Sequence, residues 1–191
     1  MKIVFATSNA HKLEEIQSIC GDCDIEFVLP NEDFNPVENG STFEENSFKK
    51  AKEAYRVSKM YCLADDSGLC IEALNGAPGI YSARYAGTQD EKITRILNEL
   101  KEKNDRKAQF VCCMTLLDEN GIVIFQTIGK CHGVITKERK GTNGFGYDPI
   151  FLVDGYSKTM AELSSEEKNK ISHRAVALKK VIEFLKKTNN I

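Results

Sequence analysis

The sequence lacks a hydrophobic run of membrane-spanning length, a marked excess of charge of either sign, and any internal repeat or low-complexity tract. A membrane-spanning helix needs about 20 largely apolar residues, so none is expected here. The 26 Lys and Arg residues nearly balance the 28 Asp and Glu residues, and the net charge of −2 argues against general binding to nucleic acid or membranes. No G-x-x-x-x-G-K-[ST] sequence occurs, which excludes a P-loop.

The composition is ordinary for a soluble globular protein, with 41% hydrophobic and 28% charged residues. A chain of 191 residues suits one domain or two closely joined lobes with a substantial core. No Pro/Gly-rich linker divides it. The opening residues Met1–Ala6 read directly as structure rather than as a signal peptide, so we expect a cytoplasmic protein.

The seven cysteines fit that expectation, because the number is odd and most stand in apolar stretches. Cys62, Cys70, Cys112 and Cys113 are of this kind, where a free thiol behaves as a small hydrophobe. The run Cys20–Cys23 matches C-x-x-C. It has no second pair for zinc, and it follows a predicted helix whereas a redox motif precedes one. We therefore interpret it as structural.

Hydrophobic patterns predict strands and helices that interleave along the chain. Strands are expected at residues 2–7, 61–64, 108–117, 122–128 and 150–153. Helices are expected at residues 10–20 and from a capping box at Thr42–Glu45 to about Ser58. A third helix is expected after a second capping box at Thr88–Glu91. A final helix is expected at the end of the chain, with its apolar side chains facing inward, namely Ala175, Leu178, Val181, Ile182 and Leu185. Because Asp118–Gly121 joins two strands as a hairpin, the pattern indicates an α/β fold with a mixed sheet rather than a parallel one.

The first polar cluster follows the first strand, where a helix begins at once. Thr7, Ser8 and Asn9 bring hydroxyl, amide and free backbone N–H groups to a helix N-terminus, where anions bind readily. An ordinary N-cap would explain Ser8 or Asn9 without any ligand. The positive charge of Lys12 in the first turn interacts unfavourably with the helix dipole, at a cost of roughly 0.3–1 kcal/mol. A bound phosphate would offset this cost. Both interpretations stay open.

The second cluster contains three carboxylates. Asp65–Asp66 follows the short predicted strand 61–64, where an acidic turn is the plain interpretation. Glu38 precedes the second helix and has no capping task, and Lys50 lies one turn after Asn46 on that helix. A solvated face is the default for each of these residues. Together, however, the carboxylates are hard oxygen ligands suited to magnesium, which takes its other ligands from water and phosphate.

Two further clusters lie in the second half of the chain. The segment Gly141–Pro149 holds three glycines and two aromatic residues, which predicts either a turn with one buried anchor or a loop whose aromatic stacks on a base, worth about 1–3 kcal/mol. Ser164–Glu167 is a third capping box, and Ser172 is placed to cap a new helix. That helix would present His173 and Arg174 from its first turn, although a lone His-Arg pair is usually a surface feature.

Six motifs in this order resemble one family, the inosine triphosphate pyrophosphatases, also called Ham1-like. They are Thr7-Ser8-Asn9 with Lys12, Thr42–Asn46, Ala64–Leu69, Gly76–Tyr85, Gly144–Pro149 and Ser172–Arg174. The resemblance runs nearly the whole length and is that of a bacterial member. His11 departs from the family pattern, in which glycine is frequent there.

The resemblance implies a single domain, residues 1–191, with a fold of two α/β lobes around a long mixed β-sheet flanked by helices. Maf-like proteins share this architecture. It implies an active site in the cleft between the lobes, Mg²⁺ as cofactor and a homodimer as the usual assembly. It also implies hydrolysis of ITP, dITP and XTP to the monophosphate and pyrophosphate. Neither nucleic acid nor membrane is an expected partner.

The resemblance further implies roles for the matching residues. The triphosphate would contact Thr7, Ser8, Asn9, Ala10, His11 and Lys12, with Lys50 nearby and Ser67 beside the phosphates. Glu38 and Asp66 would hold the metal, and Asp66 would accept the proton of the attacking water. Asp65 is instead expected to bond the backbone of the turn. The base and sugar pocket would comprise Phe145, Gly146, Tyr147, Asp148, Lys168, His173 and Arg174.

Two other hypotheses remain open. A Maf-like pyrophosphatase would act on modified pyrimidine or other nucleotides, and a regulatory module would bind nucleotide without cleaving it. Donors from the His173–Arg174 region would favour the 6-keto oxygen of hypoxanthine and xanthine over adenine. The sequence does not indicate how guanine, which carries the same 6-keto group, would be rejected.

Overall fold

The computed structural model describes residues 1–21 and 23–188. Strands and helices interleave, as the sequence predicts. The strands are β1 (Lys2–Phe5), β2 (Glu26–Val28), β3 (Cys62–Ile71), β4 (Lys107–Leu117), β5 (Val123–Ile135) and β6 (Phe151–Val153). The α-helices are α1 (Ala10–Cys20), α2 (Phe43–Ser58), α3 (Gln89–Glu99), α4 (Ser165–Ile171) and α5 (His173–Lys187). Short 3₁₀ segments lie at Glu72–Leu74, Gly79–Arg84, Asp148–Ile150 and Met160–Glu162.

The described strands form one sheet in the order β2-β1-β3-β4-β5-β6. Strand β1 is parallel to β2 and to β3, whereas β5 and β6 are antiparallel. The expected mixed sheet with flanking helices is therefore confirmed. The chain divides into two compact units, the first made of Met1–Asp66, Cys112–Gly129 and the residues from His173 onward, and the second of Ser67–Val111 and Lys130–Ser172.

In the first unit, alternate residues of the strands face two different sets of helices. Ile3, Phe5 and Leu63 pack in one apolar cluster with Ile16 of α1 and Val181 of α5. Val4, Ala6 and Ala64 pack in another with Ala51 and Ala54 of α2. Because successive strand side chains point to opposite faces, each face of the sheet in this unit has its own helical cover.

The second unit has a separate core. Leu69 and Ile71 of β3 pack there with Ile93 and Ile96 of α3 and with Phe151 of β6. The helix predicted after Thr88–Glu91 is confirmed, and its capping box forms as expected between Thr88 and Glu91. Strand β6 pairs with the end of β5, with Gly133 opposite Val153.

Several local predictions are confirmed and others are corrected. The hairpin at Asp118–Gly121 forms, with Gly121 N donating to Asp118 O, and α5 buries the predicted apolar face. Thr42 caps α2 by accepting from Glu45 N. The Glu45 carboxylate, however, accepts from the backbone N and the hydroxyl of Ser41 rather than from Thr42.

Two strands differ from the prediction. The sequence pattern predicts that the fourth strand ends at residue 128, whereas β5 continues to Ile135. Strand β2 was not predicted, because three residues are too short for periodicity to mark. A disulfide joins Cys20, the last residue of α1, to Cys23. Cys62, Cys70, Cys112, Cys113 and Cys131 are free thiols. Within the described residues, no helix is both long enough and apolar enough to cross a bilayer.

Candidate active site

The acidic pair Asp65–Asp66 lies inside strand β3 and not in a turn after it. The strand runs without interruption from Cys62 to Ile71, so the predicted turn at these residues is wrong. Asp65 is 1% exposed and Asp66 is 5% exposed. Since neighbouring residues of a strand point to opposite faces, the two carboxylates are directed to different helical neighbours instead of repelling one another side by side.

Asp65 shares a face of the sheet with Leu63 and meets the helices that cover it. Its Oδ1 accepts from Lys12 Nζ at 3.0 Å. Its Oδ2 accepts from Arg174 Nη2 at 2.9 Å and from Arg174 Nε at 3.2 Å. The expectation that Asp65 bonds the backbone of a turn is therefore corrected, because this carboxylate joins the first turn of α1 to the first turn of α5.

The cations around Asp65 determine its ionisation. Burial alone would raise the pKa of Asp65, but the positive charges of Lys12, Arg174 and Lys50 outweigh it and hold that pKa below its ordinary value. Arg174, itself 1% exposed, also contacts the carboxylate of Glu15. Asp65 and Glu15 thus supply the negative charge that Lys12 and Arg174 need at their helix starts, so a phosphate is not required to explain either cation.

Asp66 points to the opposite face, toward helix α2. Its Oδ1 accepts from Lys50 Nζ at 2.9 Å, and its Oδ2 accepts from Asn46 Nδ2 at 3.3 Å. Asn46 and Lys50 lie one turn apart on α2, as the sequence predicts, and both are buried. Burial raises the pKa of Asp66, and Lys50 opposes that effect without cancelling it.

Lys50 joins the two carboxylates that the resemblance assigns to metal. Its Nζ donates to Glu38 Oε2 at 3.0 Å as well as to Asp66. Burial would lower the pKa of Lys50, but the charges of Asp65, Asp66 and Glu38 outweigh it and raise that pKa above the usual value. The two carboxylates therefore converge on one cation that belongs to the protein itself.

Helix α2 also fixes the loop that carries Glu38. Asn46 Oδ1 accepts from Gly40 N at 2.8 Å, and Lys49 Nζ donates to Asn39 Oδ1 at 2.6 Å. The approach of the loop is close, since a Cβ on Gly40 would lie 2.7 Å from Asn46 Oδ1. Asn46 thus holds this loop with its oxygen and Asp66 with its nitrogen, which sets the position of one carboxylate relative to the other.

The cluster after β1 forms a capped helix start. Asn9 is the N-cap of α1, and its side chain accepts from His11 N at 3.0 Å. Thr7 Oγ1 accepts from Asn9 N at 3.0 Å. The plain interpretation of Asn9 as a cap is confirmed. The four residues that follow Thr7 are exposed, namely Ser8, Asn9, Ala10 and His11.

In the second unit, the glycine-rich segment is held by Asp148. Asp148 Oδ2 accepts from Phe145 N at 3.0 Å and from Lys168 Nζ at 2.8 Å, and the Lys168 ammonium lies 4.7 Å from the centre of the Phe145 ring. Gly144 has a φ of +74°, and a Cβ there would lie 2.1 Å from Asp148 Oδ2. The segment therefore needs glycine both for its backbone conformation and for space.

Phe145 and Gly146 are half-buried, and Asp148 and Lys168 are buried. Tyr147 is only 5% exposed, and its hydroxyl donates to the carbonyl of Ser82 at 2.9 Å. Of the two aromatics in the segment, Tyr147 is the buried anchor, and Phe145 is the ring that remains partly exposed beside a cation.

The predicted site residues therefore form two sets, one in each unit. The first unit holds Thr7 to Lys12, Glu38, Lys50, Asp66, His173 and Arg174, and the second holds Ser67, Phe145, Gly146, Tyr147, Asp148 and Lys168. Within each unit the structure joins several members by direct contacts. The hypothesis that both sets line one cleft stays a prediction.

Sequence reasoning missed three contributors to the first set. The sequence patterns predict Asp65 in a turn and predict no role for Asn46 or Glu15. Leu63 and Asp65 lie on the same face of the sheet, and Arg174 contacts Asp65 from that side. This shared face can be recognised only once β3 is known to continue through the two acids. For Asn46 a signal was present, because it lies four residues before Lys50 on the same helical face.

Sheet, helices and the paired charge clusters define an α/β protein with a carboxylate–lysine site. The Ham1 family pattern matches residues 3–184. A dITP/XTP pyrophosphatase from Treponema denticola is 48% identical over 97% of this chain and 99% of its own, and one from Clostridium perfringens is 46% identical over 97% of each. The solved structure of a HAM1 protein from Coxiella burnetii matches with a TM-score of 0.89 and 42% identity, covering 98% of this chain and 99% of that one. The chain belongs to the Ham1 family.

Proposed function

We propose that the protein hydrolyses ITP, dITP and XTP to the nucleoside monophosphate and pyrophosphate, and so clears non-standard purine nucleotides from the nucleotide pool. The observation that carries this proposal is the convergence of Glu38 and Asp66 on the Lys50 ammonium, at 3.0 Å and 2.9 Å. The naming of the Treponema and Clostridium relatives as dITP/XTP pyrophosphatases gives the substrate class.

Magnesium is the proposed cofactor, and the donor set fits it. Glu38 and Asp66 already share one cation, and Mg²⁺ uses one or two protein carboxylates while keeping several waters and binding substrate phosphates. Among the described residues, no cluster of three or more His, Cys, Asp and Glu side chains has the arrangement of a metal cage. When bound, Mg²⁺ would neutralise charge on the triphosphate and on the leaving pyrophosphate.

Asp66 is the proposed proton acceptor for the attacking water. Its buried position raises its pKa, which makes the carboxylate a stronger base than an exposed aspartate. Lys50 and Asn46 fix its two oxygens, so the base has a set direction before substrate arrives. General-base catalysis contributes typically ~10²–10⁴-fold in rate, so most of the activity should depend on this one carboxylate.

Phosphate binding is assigned to the start of α1 and the lysines beside it. Lys12 is 17% exposed at its side chain, so its ammonium retains access to a ligand while Asp65 holds it. The residues Ser8 and Asn9 are exposed at the same helix N-terminus, where backbone N–H groups favour an anion. These groups would align the triphosphate for attack at its α-phosphorus.

The base pocket is assigned to Phe145 with Asp148 and Lys168. An ammonium 4.7 Å from the ring centre of Phe145 provides a donor beside a stacking surface, as recognition of a 6-keto oxygen requires. His173 and Arg174 remain proposed donors to the base. In this structure the Arg174 guanidinium contacts Asp65 and Glu15.

Product analysis tests the proposal. The protein is incubated with Mg²⁺ and, separately, ITP, XTP, GTP, ATP and dTTP. Monophosphate with pyrophosphate from ITP and XTP, and little product from the others, is expected. Turnover of dTTP in preference to ITP would favour the Maf-like hypothesis, and saturable ITP binding without product would favour a regulatory module. Light scattering in solution tests the proposed homodimer, and fractionation of cells tests the proposed cytoplasmic location.

A further inference from the structure

The motif Gly76–Tyr85 is part of the family resemblance but has no role in the reaction as described so far. Within it, the 3₁₀ segment Gly79–Arg84 contacts the part of β3 that follows Ser67, since Ser82 Oγ accepts from Leu69 N. Cys70 and Pro78 form an isolated antiparallel bridge, and Ile71 N donates to Ala77 O at 3.2 Å. The motif therefore runs beside the strand that leads away from the predicted phosphate contact.

Ser82 is the residue of this motif that links three backbone segments. Its hydroxyl accepts from Leu69 N at 2.9 Å and donates to Gly79 O at 2.6 Å. Its carbonyl accepts from the hydroxyl of Tyr147 at 2.9 Å. Ser82 is 7% exposed and Tyr147 is 5% exposed, so these hydrogen bonds are shielded from competing water. We call Gly68, Leu69, Gly79, Ser82 and Tyr147 the Ser82 clasp.

In the Ser82 clasp, the backbone at Gly68 packs directly against Gly79 and Ser82. A Cβ on Gly68 would lie 2.1 Å from Gly79 O and 2.6 Å from Ser82 Oγ, so only glycine fits there. Burial raises the pKa of Tyr147, which keeps its hydroxyl protonated as a donor to Ser82. The residues next to the clasp are Ser67 on one side and Phe145, Gly146 and Asp148 on the other.

We propose that Ser82 is a positioning residue that fixes the base-binding segment relative to Ser67, so that contacts to the base help to align the triphosphate. The inference rests on the proposed function, because it takes the phosphate role of Ser67 and the base role of Phe145 from there. Binding energy gained far from the reacting bond raises kcat only if a rigid connection transmits it. A displacement of about 1 Å can cost about 100-fold in rate.

Two variants disrupt the Ser82 clasp, each by removing a different hydroxyl group. Ser82→Ala removes the hydroxyl, and Tyr147→Phe removes only the phenolic oxygen while keeping the buried ring. Each should lower kcat/KM for ITP at least about tenfold, as expected for a lost alignment of the α-phosphorus. Inhibition by inorganic tripolyphosphate, which has no base, should stay within about twofold of wild type, since its contacts do not use the clasp. Ser58→Ala, whose hydroxyl donates to Ala54 O at 2.7 Å in the first unit, is the matched control and should behave as wild type.

Hydrogen exchange supplies a readout that does not depend on turnover. Peptides covering residues 67–71 and 143–150 should exchange faster in both variants, while peptides of α1 and α2 should keep wild-type protection. If Ser82→Ala does not fold, Tyr147→Phe carries the same predictions. Unchanged ITP kinetics, or equal losses for ITP and tripolyphosphate, would overturn the inference. If the wild-type protein released no pyrophosphate from ITP, the proposed function would instead be overturned. Hydrogen exchange and ITP binding would then still test the role of the Ser82 clasp.

Discussion

The ammonium of Lys50 lies 2.9 Å from Asp66 Oδ1, at the position where a cation would neutralise the proposed catalytic carboxylate. The same ammonium also contacts Glu38, so it satisfies both proposed metal ligands at once. A divalent cation entering alone must displace this lysine or share its ligands. A cation arriving with nucleotide brings phosphates that give the lysine a new partner. Metal binding is therefore expected to depend on the nucleotide.

Replacing Lys50 tests that coupling. In Lys50→Met, Glu38 and Asp66 lose their shared cation, so the nucleotide-free protein should bind Mn²⁺ at least about tenfold more tightly, which corresponds to about 1.4 kcal/mol. The affinity is measured by electron paramagnetic resonance or calorimetry, and turnover is not needed. Lys49→Met is the control, because Lys49 donates to Asn39 and to neither carboxylate. Equal Mn²⁺ affinity in wild type and Lys50→Met would contradict the account.

Asp65 is expected to contribute more to stability than to chemistry. Asp65→Asn leaves the buried Arg174 and the partly buried Lys12 with less opposing charge, and breaking a buried pair costs about 3–5 kcal/mol of unfolding free energy. Urea unfolding at pH 7 measures the change, with the exposed Asp154→Asn as control. A loss below about 1 kcal/mol, the upper range for surface pairs, would show that these contacts do not act as a buried network.

The same comparison has a defined pH dependence. The pKa of Asp65 is lower in the folded protein than its ordinary value of 3.8, so its ionised form stabilises the fold above that value. The contribution is lost as pH falls from about 4 toward the lower folded-state pKa, because the folded protein resists taking up the proton. The difference in unfolding free energy between wild type and Asp65→Asn should therefore shrink below pH 4 and stay constant from pH 5 to 7.

Gly144 should tolerate alanine less well than another glycine of the same conformation. Gly144 and Gly155 have φ values of +74° and +79°, but a Cβ on Gly144 would meet Asp148 Oδ2, whereas a Cβ on Gly155 meets nothing within 4 Å. Both alanine variants carry the left-handed backbone cost of about 1–2 kcal/mol. Only Gly144→Ala should also raise KM for ITP, by about tenfold, since it disturbs the Asp148–Lys168 pair. Equal KM values in the two variants would show that the segment around Gly144 does not contribute to substrate binding.

The fold was largely predictable from local patterns. Capping boxes at Thr88 and Ser164 and the apolar stripe of α5 were correct, since each depends on residues within a few positions of one another. The course of β3 through Asp65–Asp66 was not, because acids favour turns unless charged partners elsewhere in the chain compensate them. Those partners are 53 and 109 residues away for Asp65.

The sequence motifs propose members of the candidate site but not the contacts between them. The motifs named Lys12, Glu38, Lys50 and Asp66, and the structure joins Glu38, Lys50 and Asp66 directly. The sequence could not show that Lys12 pairs with Asp65 while Lys50 pairs with Asp66. That assignment follows from which side of the sheet each carboxylate faces, which requires the strand register.

The measurement that tests the central claim most directly is pyrophosphate release from ITP by wild type and Asp66→Asn in the presence of Mg²⁺. Wild type should form one pyrophosphate for each inosine monophosphate, and Asp66→Asn should lose at least about 100-fold in kcat while its fold stays intact, because a general base contributes typically 10²–10⁴-fold. Asp154→Asn, at an exposed site, should keep wild-type turnover. Stepwise release of single phosphates by the wild type, or an Asp66→Asn variant within tenfold of it, would contradict the account.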